Sequence, residues 1–157
     1  MDSTPGAGPA GWSAEGSMPK AGYHLLEHPS DLGIEASGRT VGEAFEQAAL
    51  GLISVIAETT TIELSDERII KVDAQDYENL LVRWLSEILY LYDGEDYLLK
   101  EAKIESISPT KLAAKISGEK YKPEKHKLKM DVKAVTYHQL SIETSSAMTT
   151  VRVFLDI

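Results

Sequence analysis

The fold is decided by one stretch of the sequence, residues 40–56, which reads TVGEAFEQAALGLISVI. Thr40, followed three positions later by Glu43, forms a capping box, the signal of a helix N-terminus. Apolar side chains then recur at helical spacing along one stripe: Val41, Ala44, Phe45, Ala48, Ala49, Leu52, Ile53 and Ile56. The stretch therefore predicts an amphipathic helix that buries one face.

Two short strands are predicted before this helix. The first covers residues 23–28 (YHLLEH) and is stopped by Pro29, and the second covers residues 33–37 (GIEAS) and is stopped by Gly38. A tight loop that carries Asp31 joins them. This arrangement predicts a hairpin that leads directly into the helix.

A second helix and further strands are predicted after it. The second helix is capped by Asp73 or Asp76 and is ended by Asp93-Gly94. Strands are predicted within residues 63–73 and over residues 98–107, 112–120, 132–143 and 149–157. Two helices among about six or seven strands predict an α+β domain, a largely antiparallel sheet with the two helices packed on it.

Composition indicates one acidic domain behind an N-terminal leader. The chain has 157 residues, with 25 Asp and Glu against 16 Lys and Arg, a net charge of −9. Residues 1–20, rich in Gly, Pro, Ala and Ser, predict a disordered leader, and residues 21–157 predict the folded domain. No stretch approaches the roughly 20 apolar residues of a membrane span.

The absence of cysteine excludes thiolate zinc sites and thiol catalysis. It fits a reducing compartment, so we expect a cytoplasmic protein, or a nuclear one in a eukaryote. The acidic balance argues against binding nucleic acid by phosphate neutralisation, which needs many cationic contacts. We therefore expect no direct sequence-specific nucleic-acid binding and no membrane association.

Carboxylates at two distant points are candidates for a cation site. Asp31 lies in the predicted loop, and Asp156 precedes Ile157, whose α-carboxylate ends the sequence. If the last strand pairs beside the Asp31 loop, three carboxylates converge, a donor set that favours Ca²⁺, Mg²⁺ or Mn²⁺ over zinc. The alternatives are an Asx turn at Asp31 and an Asp156 that faces water or is neutralised by Arg152.

Other polar residues allow more than one interpretation. The loop places His28, Ser30 and Asp31 close together, but side chains so near in sequence rarely align as a hydrolase triad. His138 is either a group that supports the cation site or a polar residue at the edge of the core. A basic cluster between Lys120 and Lys133 is either a solvated loop or a landing patch for an acidic partner or phosphates.

Three separated stretches resemble the archease family. The first is HPSDLG at residues 28–33, followed by the helical EAFEQAA at residues 43–49. The second is LLVRWLSEILY at residues 80–90, and the third is VKAVTYH at residues 132–138 with the ending VRVFLDI. The loop differs from the family at Pro29 and Ser30, where Thr and Ala are usual. The resemblance extends from about His24 to the last residue.

This resemblance implies an accessory protein, not an enzyme, that activates the GTP-dependent RNA ligase of tRNA splicing. Such a protein assists guanylylation of the ligase and so allows multiple turnover. Matched position by position, the divalent-metal site comprises Asp31, Asp156 and the carboxylate of Ile157, with Ca²⁺ as first choice and Mg²⁺ or Mn²⁺ as alternatives. Lys133 is the candidate contact to ligase or nucleotide, and the candidate supporting residues are His28, Glu87 and His138.

Two other functions remain open from the sequence. One is a general chaperone for RNA-processing or tRNA-modifying enzymes, including a tRNA methyltransferase, a role also associated with the family. The other is an independent metal-dependent hydrolase that uses Asp31, Asp156 and His138. The second has little support, because no general base beside a nucleophile can be named.

Overall fold

The computed structural model describes residues 20–27 and 31–157, in which seven strands and two helices are formed. In chain order these are β1 (Gly22–Glu27), β2 (Asp31–Gly38), α1 (Val41–Ile56), β3 (Asp66–Asp73), α2 (Tyr77–Glu95), β4 (Tyr97–Ile107), β5 (Lys111–Lys120), β6 (Ala134–Thr144) and β7 (Thr149–Asp156). The predicted α+β class is confirmed. The predicted leader, apart from Lys20, lies outside the described residues.

All strand pairs are antiparallel, as predicted, but the strands are divided between two sheets. One has the order β1-β2-β7-β6 and the other the order β3-β5-β4. Helix α1 packs against β2 of the first sheet and β4 of the second, while α2 packs mainly on β6. The core therefore lies where α1 is held between the two sheets.

Helix α1 begins as predicted. Thr40 Oγ1 accepts a hydrogen bond from the Glu43 amide (3.0 Å), and Glu43 Oε1 accepts one from the Arg39 amide (2.7 Å). Its apolar face is fully buried, and the Phe45 carbonyl accepts a hydrogen bond from Trp84 Nε1 of α2 (2.9 Å). This bond fixes how the two helices face each other.

Helix α2 begins at the predicted cap but ends later than predicted. Asp76 Oδ1 accepts from the Asn79 amide (2.8 Å), whereas Gly94 stays helical. The left-handed residue that ends the helix is Asp96 (φ 58°), a residue type that tolerates this conformation. Within residues 20–27 and 31–157, no helix is long and apolar enough to cross a membrane.

Strand β6 differs from the predicted continuous strand over residues 132–143. It begins at Ala134, and its pairing with β7 is interrupted between Thr136 and Ser141 by a bulge in which Gln139 has φ 53°. The cause is a contact with the neighbouring strand: Thr136 Oγ1 donates to the Phe154 carbonyl of β7 (2.9 Å) and also accepts from the His138 amide (3.2 Å). A side chain thus replaces regular ladder bonds at this point.

Candidate functional site

The two predicted carboxylates meet across a pair of strands. Asp31 is the first residue of β2 and Asp156 the last of β7, and the antiparallel register places them directly opposite each other. Directly opposed residues point to the same face of a sheet, with Cβ atoms about 5 Å apart. Residues far apart in sequence are therefore brought together as the carboxylate pair.

The strand that carries Asp156 is held from both sides. Strand β7 lies between β2 and β6, and Asp156 is opposite Ala134 of β6 as well as Asp31. Its carbonyl also accepts a hydrogen bond from the Lys133 amide (2.7 Å). Lys133 is therefore next to the carboxylate pair, and its side chain is exposed.

A cleft of about 490 Å³ opens beside the carboxylate pair. Its apolar lining comes from Leu25, Leu32, Val55, Met130 and Ile157, and its polar lining from Glu27, Asp31 and Lys129. Asp31 and Ile157 thus border one cleft, while Asp156 is exposed on the adjoining surface. Glu27 and Lys129 are additions to the predicted site. Lys129 belongs to the basic cluster of the sequence, but its position in that cluster does not predict that it lines the cleft.

The glycine of the HPSDLG stretch has a packing role. A Cβ atom on Gly33 would come within 2.8 Å of the Phe154 ring, so the ring occupies the space that a side chain would need. On the other side of that ring lies His138, edge-on with centroids 6.3 Å apart. His138 therefore shares the face of the carboxylate pair and is separated from it by one ring.

The next row along the same face contains an ion-pair cluster. Glu35 contacts His24 Nε2 through Oε1 (3.1 Å) and accepts from Arg152 Nε through Oε2 (3.1 Å). Arg152 was an alternative partner for Asp156, but in the structure its guanidinium binds Glu35 instead. The carboxylate pair is thus not neutralised by this arginine.

One of the predicted supporting residues, Glu87, lies away from this site. Glu87 borders a separate groove of about 440 Å³ between α2 and β6, together with Arg83, Tyr90 and Tyr137. His28 lies outside the described residues, as do Pro29 and Ser30. A role of Glu87 in holding the cation is therefore not favoured by the geometry.

A buried charged network that the sequence did not predict lies at the start of the basic cluster. Glu119, 3% exposed, accepts from His126 Nε2 (2.8 Å), Lys125 Nζ (3.1 Å) and the Glu63 amide (2.8 Å). Burial acts to raise the pKa of Glu119, but the bonds from Lys125 and His126 outweigh it and lower the pKa to about 2. Glu119 is therefore ionised, and much of the basic cluster is structured around it.

The donors at the carboxylate pair fit a hard divalent cation. Carboxylate oxygens are ligands that Ca²⁺, Mg²⁺ and Mn²⁺ prefer. A Ca²⁺ ion needs six to eight such oxygen ligands, which is more than two carboxylates supply. Among residues 20–27 and 31–157, no group of three or more His, Cys, Asp or Glu side chains is arranged to hold a metal. Asp31 and Asp156 would thus need the Ile157 carboxylate, water or groups of a partner to complete the shell.

Comparison with known families gives one clear match. The model of the Archease protein family (MTH1598/TM1083) matches residues 23–157. A protein from Methanosarcina mazei named archease is 39% identical over 146 residues, which is 89% of this chain and 100% of the relative. One from Pyrococcus abyssi, also named archease, is 42% identical over 124 residues, 77% of this chain and 87% of the relative.

A solved structure shares the fold. The solution structure of protein 1598 from Methanobacterium thermoautotrophicum matches with a TM-score of 0.72 at 30% identity. The match covers 87% of this chain and 99% of that protein. Sequence and fold thus point to the same group of proteins.

Proposed function

Because the chain belongs to the archease family, we propose that it is a non-catalytic accessory protein that activates the GTP-dependent RNA ligase of tRNA splicing. In this proposal it promotes guanylylation of the ligase, and so multiple turnover, in the cytoplasm. The observation that carries the proposal is the direct opposition of Asp31 and Asp156 at one end of the β2–β7 pair. The partner is what membership of the family implies, the compartment is the one that fits the absence of cysteine, and the opposed carboxylates support the proposed cation site.

The carboxylate pair is proposed to hold a divalent cation, Ca²⁺ first and Mg²⁺ or Mn²⁺ as alternatives. When bound, such a cation supplies positive charge that stabilises the phosphates of a nucleotide during its transfer. Asp31 and Asp156 would hold it where the β2–β7 pair ends, and the carboxylate of Ile157, a residue that borders the adjoining cleft, would be a further donor. Like charges directly opposed across two strands destabilise a sheet, so the pair is better satisfied with a cation than without one.

Lys133 is proposed to contact the ligase or its nucleotide. Its amide donates to the Asp156 carbonyl and its side chain is exposed, and this adjacency to the carboxylate pair supports the proposal. A phosphate that approaches a cation held there would meet this second positive charge. His138 is proposed to act only indirectly, since its contact is with the Phe154 ring.

The test is RNA ligation by the GTP-dependent ligase under single- and multiple-turnover conditions, with wild type, Asp31→Ala and Asp156→Ala. A matched control is Asp73→Ala, an exposed carboxylate at a strand end that faces Lys111 instead of another acid. We expect wild type and the control to raise multiple turnover, and both site variants to lose most of that effect.

Other results would favour other functions. Full stimulation by both site variants would refute the role of the cation and leave activation through a preferred ligase conformation. No stimulation by folded wild type would refute the activator role. Suppression of methyltransferase aggregation without a metal requirement would then favour the chaperone, and phosphoester turnover abolished by Asp31→Ala would favour the hydrolase.

A further inference from the structure

The segment from Tyr121 to Lys133 connects β5 of one sheet to β6 of the other, and we call it the crossing segment. It starts at the Glu119 network, passes the C-terminal end of α1 and ends beside the carboxylate pair. Each of these three places has its own contacts. Together they connect a buried network to the edge of the candidate site.

At the start, His126 is held by both ring nitrogens. Its side chain is completely buried, Nδ1 accepts from the Lys122 amide (2.9 Å), and Nε2 lies 2.8 Å from Glu119 Oε2. An amide N–H can only donate, so Nδ1 is the accepting nitrogen and Nε2 carries the proton that Glu119 accepts. The ring orientation is therefore determined, and with it the turn formed by residues 122–126.

In the middle, the crossing segment caps α1. The Glu58 amide donates to the Lys127 carbonyl (2.9 Å), and the Lys129 amide donates to the Ile56 carbonyl (2.8 Å). Lys129 Nζ also donates to the Ser54 carbonyl (2.9 Å). Helix α1 has no basic residue in its last turn, so Lys129 supplies the cation that the negative end of a helix favours.

At its end, the crossing segment reaches the candidate site. Lys129 and Met130 line the cleft that Asp31 borders, Val132 is buried in the core, and the Lys133 amide binds the Asp156 carbonyl. A shift of the crossing segment would therefore move one wall of the cleft. It would also move the lysine next to the carboxylate pair.

We infer that Glu119 and His126 are positioning residues: they fix the crossing segment and thereby place Lys129 and Lys133 beside Asp31 and Asp156. The inference rests on the proposed function for its consequence in the ligase reaction. Its structural part is independent of any partner. Neither Glu119 nor His126 touches the cleft, since both are buried in their own network.

The first measurement is amide hydrogen exchange on the isolated full chain. The informative amides are those of Lys129 and Lys133, which belong to the crossing segment, and that of Glu58, which donates to the Lys127 carbonyl. The internal reference is the Ala44 amide at the other end of α1, which donates to the Thr40 carbonyl (3.0 Å). In Glu119→Gln and His126→Asn we expect exchange at the three amides to rise about tenfold, with the Ala44 amide little changed. Equal acceleration at all four amides, or none, would overturn the inference.

The matched control is Tyr97→Phe. Tyr97 is as buried as Glu119, and its hydroxyl donates to the Asp66 carbonyl (2.8 Å), a bond between β4 and β3 in which no residue of the crossing segment takes part. The control therefore loses one hydrogen bond that the crossing segment does not make. We expect no selective acceleration at Glu58, Lys129 and Lys133, and a selective rise there would also overturn the inference.

The second measurement is the concentration of each variant that half-maximally stimulates the ligase. We expect Glu119→Gln and His126→Asn to need about tenfold more protein for the same maximal rate, because the cation-holding carboxylates remain and only their surroundings are displaced. Tyr97→Phe should match wild type. If wild type is active and the half-maximal concentrations of the variants are unchanged, the inferred effect on the ligase reaction is overturned. If wild type itself is inactive, the proposed function is refuted, and the exchange measurement alone decides the inference.

Discussion

The opposition of Asp31 and Asp156 makes a prediction with an unusual sign. Replacing a charged residue on a strand end usually costs little, but Asp156→Asn removes one of two like charges that face each other. Two unit charges about 5 Å apart in water repel by about 0.8 kcal/mol, and salt reduces this. In a metal chelator we therefore expect Asp156→Asn to raise the free energy of unfolding by about 0.5 kcal/mol.

Added Ca²⁺ should reverse the order of the two proteins. A cation bound only to the folded state, at 100 times its Kd, stabilises that state by about 2.7 kcal/mol. For a chain of this size that is a rise in Tm of about 5–10 °C. Asp156→Asn lacks one charged donor and should gain much less, so wild type becomes the more stable protein.

The assay is thermal unfolding of both proteins in chelator and in a Ca²⁺ series, with Asp73→Asn as the matched control. Asp73 faces Lys111 (3.6 Å), so its replacement removes an attraction and should give no increase in stability in chelator. Two results would refute the reasoning: Asp156→Asn less stable than wild type in chelator, or an equal gain from Ca²⁺ in both proteins.

Three further predictions concern the fold. In urea unfolding, Gly118→Ala should lower the free energy of unfolding by about 3 kcal/mol or prevent folding, because its Cβ would lie 1.9 Å from the Leu98 carbonyl oxygen. The control is Gly22→Ala, whose Cβ would have nothing within 4 Å and which should stay within about 0.5 kcal/mol of wild type. Trp84→Phe should cost about 2 kcal/mol in the same assay, because the buried Phe45 carbonyl loses its donor; a cost below about 0.5 kcal/mol would contradict this. The pKa of Glu119, about 2 in the folded protein against an ordinary 4.5, means that its stabilising contribution is complete above about pH 4.5 and is lost as the pH falls towards 2. The gap in urea midpoint between wild type and Glu119→Gln should therefore shrink from pH 7 to pH 3, and a gap that stays constant would exclude this role of the carboxylate.

Local signals in the sequence were sufficient for most of the fold. The predicted cap at Thr40 is confirmed, and of the two candidates for the second cap, Asp73 and Asp76, the structure has Asp76, because a cap is decided by residues three positions apart. Most strand boundaries follow from alternation and from turn residues, but the prediction that Asp31 lies in a loop before Gly33 is wrong, because β2 begins at Asp31 through its pairing with β7. The α+β class followed in turn from the number and order of these elements.

The differences arise where distant contacts decide the structure. Helix α2 ends at Asp96 and not at the predicted Gly94. Strand β6 contains a bulge because Thr136 bonds the Phe154 carbonyl of the neighbouring strand. The division into two sheets also depends on which strands pair, which local patterns do not specify. The same holds for Arg152, whose partner is Glu35 and not Asp156, the acid four positions away on its own face.

The candidate site was predicted in part. The sequence predicts that Asp31 and Asp156 come together only if the last strand pairs beside Asp31, and in the structure β7 does pair with β2 at this point. The Glu119 network was missed, because nothing in the spacing of Glu119 and His126 shows that both become buried. An acidic residue directly before a lysine-rich run was the one signal available, and it is common on exposed surfaces too.

The central position of β7 has a consequence for how the protein is made. Strand β7 leaves the ribosome after its two neighbours, β2 and β6, and bonds such as that between Glu35 and Arg152 join residues 117 positions apart. Until it arrives, both neighbours expose unpaired edges, which are sites of aggregation, and such distant pairing is slow. Asp31 and Asp156 can therefore come together only in a chain that has been synthesised through β7, and the proposed cation site forms no earlier than that.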